Sequence, residues 1–559
     1  MAKLNGAEIV VECLKEQGVD TVFGYPGDAI LNIYDALYRH QGEIRHVLTS
    51  QVKSAAHAAD GYARATGRVG VCLAASGPGA ADMVSGIATA YMDSSPVVAI
   101  SCNVSQPILG KDSFQELDIA GISMPVTKYN FIVREVEILA PVMRRAFQIA
   151  KSGRPGPVLI DMTKDVTEAL TEYVTETPAP VKAFTERISD EDLDAAISMI
   201  HSSEKPCIIA GGGVIQAGAA EDLGIFAHKL QAPVCCTLMG QGAISQKDEL
   251  YVGMVGMHGT KAANLCVSEC DLLIAVGVRF SERVTGKTEK FAPEAKILHI
   301  DVDEAEINKN VRADAGIAGD ARVVLRRLNV RLNPQNHEEW FAHAERLTDM
   351  YPMSYDKGRL SGPEIIEILD RESPEDTIIV TESGQHQMWA AQYYRFTEAR
   401  SFLSPGGLGT MGFGLGAAIG AQIAKPDHVV VNVAGDACFR MNMGELATVS
   451  REGLPLVELI INNRGLGMLR QWQNFFYGKR YSETELNDQP DYCRIAEAMG
   501  IAACRVTTAE ELETALREAF SRRKPLLIEA WIDPEDRVFP MCPPGRALEE
   551  SFDASDLRL

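Results

Sequence analysis

Asp436 and Asn463 are the two side chains whose types and spacing point most directly to chemistry. Asp436 stands in Gly435-Asp436-Ala437, directly after the apolar run 428–433, and Asn463 ends Asn462-Asn463 after the apolar run 456–461. Between them, 443–452 has helical periodicity, so the unit reads strand, loop, helix, strand, loop. Two parallel strands would carry Asp436 and Asn463 at their C-terminal ends, where open α/β sheets bind ligands. A carboxylate, an amide oxygen and a nearby backbone carbonyl, for which Gly465 is placed, make an oxygen-only set suited to Mg²⁺ beside a diphosphate. Gly-Asp alone is common at strand ends, where the Asp merely caps a turn. The separation of the two ligands, 463 − 436 = 27 residues, carries the reading.

The elements around this unit must position it. With 559 residues the chain exceeds a single core, and two to four domains are expected. Charged residues at 23% and hydrophobic ones at 46% are those of a globular protein. The net charge of −22, with no basic cluster, argues against nucleic acid and anionic membrane surfaces as partners. The N-terminal stretch 1–18 reads as an amphipathic helix rather than a signal peptide, because Glu8, Glu12 and Lys15 interrupt it. No apolar run approaches a membrane span of about 20 residues. Twelve cysteines lie scattered, without CxxC pairs or zinc-like spacing, as buried free thiols in a reducing cytoplasm would.

Apolar strands alternate with helices throughout, giving an α/β class of three parallel-sheet domains. The first spans 1–180 and ends in a Thr/Pro/Ala linker at 175–180. The second spans 190–340, the third 362–530, and a tail occupies 531–559. In the second, strand 206–210 runs into Gly211-Gly212-Gly213, which suits close approach to a nucleotide but is a weak signal alone. Asp301 and Asp303 read equally as a ribose-binding strand end or a solvated turn. The first and third domains match in size and class, so a duplicated architecture is plausible without a detectable sequence repeat.

Gly-Asp-Ala and Asn-Asn at this spacing resemble the diphosphate-anchoring motif of thiamine diphosphate enzymes. HAADGYARATG (57–67), SGPGA (76–80), SFQELD (113–118), GMHGT (256–260), GQHQMWAAQYY (384–394), GGLGTMGFGLGAAIGAQ (406–422) and MLRQWQNFFYG (468–478) extend the resemblance to acetohydroxyacid (acetolactate) synthase catalytic subunits over nearly the whole length. The resemblance implies a pyrimidine-binding first domain, an FAD-type middle domain and a diphosphate-binding third domain. It also implies thiamine diphosphate, Mg²⁺ and FAD as cofactors and active sites at the interface of a homodimer or homotetramer. Substrates would be 2-oxo acids: pyruvate, with 2-oxobutyrate or glyoxylate as further candidates. A small regulatory subunit and a role in branched-chain amino acid biosynthesis come with it.

Residue by residue, it implies that Gln385 and His386 touch the diphosphate and that Gly409 and Met411 hold the bent cofactor. Gly435, Asp436, Ala437, Asn463, Gly465 and Met468 line the anchor, with the metal on Asp436, Asn463 and Gly465. Gln115 lines the reacting end, Trp472 shapes the pocket for the second 2-oxo acid, and Arg154, Met257, His258 and Arg279 contact FAD. Taken singly, His258 and Trp472 would more often be core residues and Arg154 a surface ion pair.

One departure touches the chemistry. Synthases have a glutamate five residues before the position of His57, where this chain has Val52. That glutamate hydrogen-bonds N1′ of the aminopyrimidine and promotes proton removal; valine does neither, and leaves the ring in an apolar setting. Glyoxylate carboligase resembles this chain in having valine there. Nearby, Asp28 replaces a glycine and 101–103 replaces a Thr-Gly-Gln-like triplet; Asp28 is either a substitute proton shuttle or a charge repelling anionic substrate. Three readings follow: an acetolactate synthase-like carboligase, a glyoxylate-type carboligase or other 2-oxo acid decarboxylase with a glutamate-free site, and a non-catalytic cofactor-binding paralogue.

Overall fold

The computed structural model describes residues 2–181, 188–488 and 490–557. The first residue of the expected N-terminal helix and the last two of the expected tail lie outside these. Three six-stranded sheets form, every pairing in them parallel. Their strands are continuous apolar runs such as Val97–Asn103, buried at every residue, as sheets covered by helices on both faces require.

With the strands of each sheet numbered in chain order, the first and third sheets share the order 2-1-3-4-6-5, while the middle one runs 3-2-1-4-5-6. The duplicated architecture is therefore real, and the middle sheet has the dinucleotide-binding order. The N-terminal stretch differs from expectation. Ala2–Asn5 is a strand paired antiparallel with Leu170–Tyr173, and the helix Gly6–Glu16 begins only where Asn5 caps the Glu8 amide.

The first and third domains meet along two helices, Val52–Thr66 and Gly414–Ala424, whose facing residues are almost all Ala and Gly. A Cβ on Gly61 would lie 2.1 Å from the Ala417 carbonyl oxygen, and one on Gly420 would lie 1.9 Å from that of Ala58. Both obstacles are backbone, so neither can swing aside. Gly61→Ala is expected to cost about 1–3 kcal/mol by overpacking, read as a lowered thermal midpoint; an unchanged midpoint would show that the seam yields.

Candidate functional site

Strands Val430–Gly435 and Val457–Asn462 are adjacent and parallel, with Gly435 opposite Ile461. Asp436 and Asn463 therefore leave the same sheet edge side by side. The next strand over, Ile378–Thr381, ends in the turn that delivers Gln385 and His386 at the start of helix Gln385–Tyr393. That helix N-terminus presents unpaired backbone N–H groups, a favourable seat for a diphosphate.

The side chains interlock. The Asn463 amide donates to Gln385 Oε1 at 3.0 Å, and the Gly465 N–H donates to Asn463 Oδ1 at 3.1 Å. Gln385 Nε2 in turn donates to Gln471 Oε1 (3.1 Å) and to the Asp536 carbonyl (2.9 Å) of the C-terminal tail. Asp436 is 2% exposed, and burial pushes its carboxyl up to about 7. A bound cation would oppose that shift. The buried His386 ring, driven down to about 3 by burial, has no partner at Nε2. It packs so closely on Gly435 that a Cβ there would lie 2.9 Å from the ring. A buried carboxylate with no ion pair among the described residues and an orphaned imidazole nitrogen on one sheet edge fit a metal–diphosphate ligand. Ala437 lies in the short helix Asp436–Arg440, where the sequence suggested a loop.

Two supports were not read in the sequence. Gly467 opens helix Gly467–Phe476, which carries Met468 into the domain core. Any Cβ on Gly467 would lie 2.0 Å from Gln385 Oε1 and 2.2 Å from Asn463 Nδ2. Glu382, fully buried and pushed up to about 7 by burial, accepts from the Gly412 and Phe413 amides at 2.7 and 2.9 Å. It thereby fixes the loop that holds Gly409, in left-handed backbone at φ +71°, and half-buried Met411. Single glycines and a lone glutamate leave no periodic trace from which such roles could be read.

The first domain places Asp28, Val52 and Gln115 on the C-terminal edge of its sheet. Val52 is the first residue of its helix and 7% exposed, 3.8 Å from where a Gly79 Cβ would stand. Gln115, at φ +62°, lies against Gly77. Asp28 is largely exposed and paired with Lys164 at 3.1 Å, so it is not the lone repelling charge weighed from sequence. Ser101 and Asn103 both bind the buried Asp161 carboxylate at 2.6 and 3.0 Å, which gives those replacements a structural task. Glu445 of the third domain reaches across to cap the helix start, accepting from the Ser50 and Gln51 amides at 3.0 Å. Among the described residues, no hydrogen bond or ion pair within one chain joins Val52 or Gln115 to Asp436 or Asn463.

The four residues expected at a flavin fall into two groups. Arg154 binds Ser94 (2.8 Å) and Glu306 (2.8 Å) beside an open cleft of about 590 Å³ that Lys128 and Asp303 also line. Arg279 sits near it and donates to the Met92 carbonyl at 2.7 Å. Met257 and His258 lie elsewhere, toward the third domain. Arg283 donates to Met257 Sδ at 3.1 Å and stacks over Trp472 at 5.5 Å, while the His258 carbonyl accepts from Gln392. Gly211 and Gly213 are packed against Gly277, where a Cβ would come within 2.1 and 2.6 Å of its backbone. Local packing thus explains that glycine run. Asp301 is buried and pushed up to about 6, which removes the solvated-turn reading.

Comparison with known families agrees with this layout. Residues 4–122 match the thiamine pyrophosphate enzyme N-terminal TPP binding domain, 193–328 the central domain and 382–530 the C-terminal TPP binding domain. The probable acetolactate synthase large subunit of Methanocaldococcus jannaschii is 46% identical over 98% of this chain and 94% of its own length. The acetolactate synthase isozyme 2 large subunit of Escherichia coli K12 is 44% identical over 98% and 100%, and the acetolactate synthase of Mycobacterium bovis is 43% identical over 100% and 93%. No helix among the described residues is long and apolar enough to cross a membrane. With three parallel-sheet domains matched in order and relatives matched end to end, the chain belongs to the acetolactate synthase family of thiamine pyrophosphate-dependent enzymes.

Proposed function

We propose that this enzyme decarboxylates pyruvate and joins the two-carbon unit to a second 2-oxo acid. The observation that carries this reading is the anchor of Asp436, Asn463, Gln385 and His386 on one sheet edge, in a chain similar throughout to acetolactate synthases. We assign 1–180 to the pyrimidine, 190–340 to FAD, 362–530 to the diphosphate and metal, and 531–559 to a closing tail. Asp436, Asn463 and the Gly465 carbonyl would hold Mg²⁺. Gln385, His386 and their helix N-terminus would orient the diphosphate. When bound, thiamine diphosphate supplies a carbon acid that adds to the 2-oxo acid carbonyl and takes up the electrons left by CO₂.

The rest falls to the protein. Val52 neither donates nor accepts a proton; its buried side chain presents only hydrocarbon. Gln115 and the Asp28–Lys164 pair are the polar groups on the same edge. Trp472, backed by Arg283, presents an aromatic wall to the second acid. The middle sheet's strand order, the cleft at Arg154 and the buried Asp301 support FAD there. Among the described residues no hydrogen bond or ion pair joins Gln115 to Asp436 or Asn463, and on that ground we assign the complete site to a homodimer, alone or within a tetramer. Relatives named large subunits support a small regulatory partner.

A second reading, carboligation of glyoxylate, rests on Val52 itself. Product analysis from pyruvate and from glyoxylate, with thiamine diphosphate, Mg²⁺ and FAD present, decides between them. Acetolactate supports the first reading and tartronate semialdehyde alone selects the second. Neither product, with the cofactor bound, would overturn both. Val52→Glu provides a sharper test. General acid–base help is worth about 10²–10⁴-fold, and a carboxylate at a helix start is electrostatically favoured. CO₂ release from pyruvate is expected to rise at least about 10-fold. A fall would show a proton relay built to work without the glutamate.

A further inference from the structure

Away from this site, the middle domain brings together three cysteines far apart in sequence. Cys207 in strand Pro206–Ala210 and Cys235 in the neighbouring strand Val234–Cys236 point to the same face, because Cys235 pairs with Ile209, two residues beyond Cys207. Helix Lys261–Glu269 covers that face and contributes Cys266. The Sγ atoms of Cys207 and Cys235 are 4.0 Å apart, those of Cys207 and Cys266 3.8 Å, and all three lie within 4.8 Å of one another. Each residue is fully buried, within a cluster that includes Ile209, Leu273 and Ala275. Spacings of 28 and 59 residues from Cys207 match no metal motif, which is why the sequence reading scattered these thiols.

We propose that Cys207, Cys235 and Cys266 form a three-thiolate site for one Cu(I) ion. Three sulfurs held about 2.3 Å from a central metal would be about 4.0 Å from each other in a trigonal plane. The Cys207–Cys235 and Cys207–Cys266 separations already stand near that value, so an ion could enter with little movement of the backbone. A disulfide, by contrast, needs its sulfurs at about 2.05 Å. Hydrogen bonds with Cys207 and Cys235 push the Cys266 thiol down, while Cys207 and Cys235 themselves are held well above the usual thiol range. Among the described residues no His, carboxylate or further Cys joins the group. Structural zinc takes four ligands, whereas soft thiolates with no fourth donor favour Cu(I). Each Cu–S bond formed releases one thiol proton to solvent, and the copper stays Cu(I) throughout.

The test uses the full-length holoenzyme under anaerobic conditions, with Cu(I) offered as its complex with a chromophoric chelator. Wild type and Cys504→Ser, which alters a half-exposed thiol outside the trio, are each expected to withdraw one equivalent of copper. Cys266→Ser is expected to withdraw none, and Cys235→Ala to bind at least about 10-fold more weakly. The fold of each variant is checked by circular dichroism, with Cys207→Ala replacing either variant that fails to fold. No withdrawal by the wild type, or equal withdrawal by Cys266→Ser, would overturn the proposal. So would stoichiometric retention of Zn²⁺, in a parallel arm, by a protein that refuses Cu(I).

Discussion

Asp436→Ala is expected to lower product formation from 2-oxo acids by about a thousandfold or more. A metal clamping a diphosphate contributes several kcal/mol of orientation and charge stabilisation, and each 1.36 kcal/mol is a factor of ten in rate. Asp436 brings a carboxylate to the proposed metal site, whereas Asn463 and Gly465 bring only neutral oxygens. A water entering the space that alanine leaves would supply an oxygen but not the negative charge. The loss should appear as weakened Mg²⁺-dependent binding of thiamine diphosphate by calorimetry as well as in the rate. Among the described residues Asp436 makes no ion pair to be broken, so the thermal midpoint of the cofactor-free protein should hold. Turnover within tenfold of wild type would remove Asp436 from the metal site.

Arg64→Met is expected to produce the largest loss of stability. The guanidinium is 5% exposed and forks onto Asp60 at 2.7 and 2.8 Å, reaches Asp93 at 2.9 Å, donates to the Ser404 carbonyl at 2.7 Å and lies 5.0 Å from the Phe413 ring. Both carboxylates are wholly buried. Removing the cation strands two negative charges without water, and breaking such a pair costs about 3–5 kcal/mol. Arg64→Lys should recover little, because a point charge cannot meet both Asp60 oxygens. Neutralising the partners as well, in Asp60→Asn/Arg64→Met/Asp93→Asn, should recover a good part. Thermal unfolding of the three variants checks this ranking. A single Met variant as stable as wild type would mean the carboxylates take up protons at no cost.

The sequence made some of this legible because the signals were local. Unbroken apolar runs gave buried parallel strands, and a Gly-Asp and an Asn-Asn each following such a run placed Asp436 and Asn463 on one edge. Val52 was singled out only through the family resemblance, which implies a carboxylate at that position. Other features depend on residues that meet only in three dimensions. Glu445 caps a helix nearly 400 residues earlier, Gly467 is small because two amides occupy its space, and Lys164 neutralises Asp28 from a different strand end. The opening strand Ala2–Asn5 was hidden for the same reason: four residues of mixed polarity become a strand only when Leu170–Tyr173 lies beside them.

The Ala–Gly seam between the outer domains also has a consequence in time. Arg64 and Ser404, which it brings into contact, are 340 residues apart in the chain. At translation rates of about 5–20 residues per second, the emerging first domain waits roughly 20–70 s for its partner. Throughout that interval the helix face built around Gly61 stands open to water, with Arg64 short of one acceptor. Synthesis of this protein thus passes through a stage with a smooth apolar surface and no native cover, the kind of surface that chaperones bind.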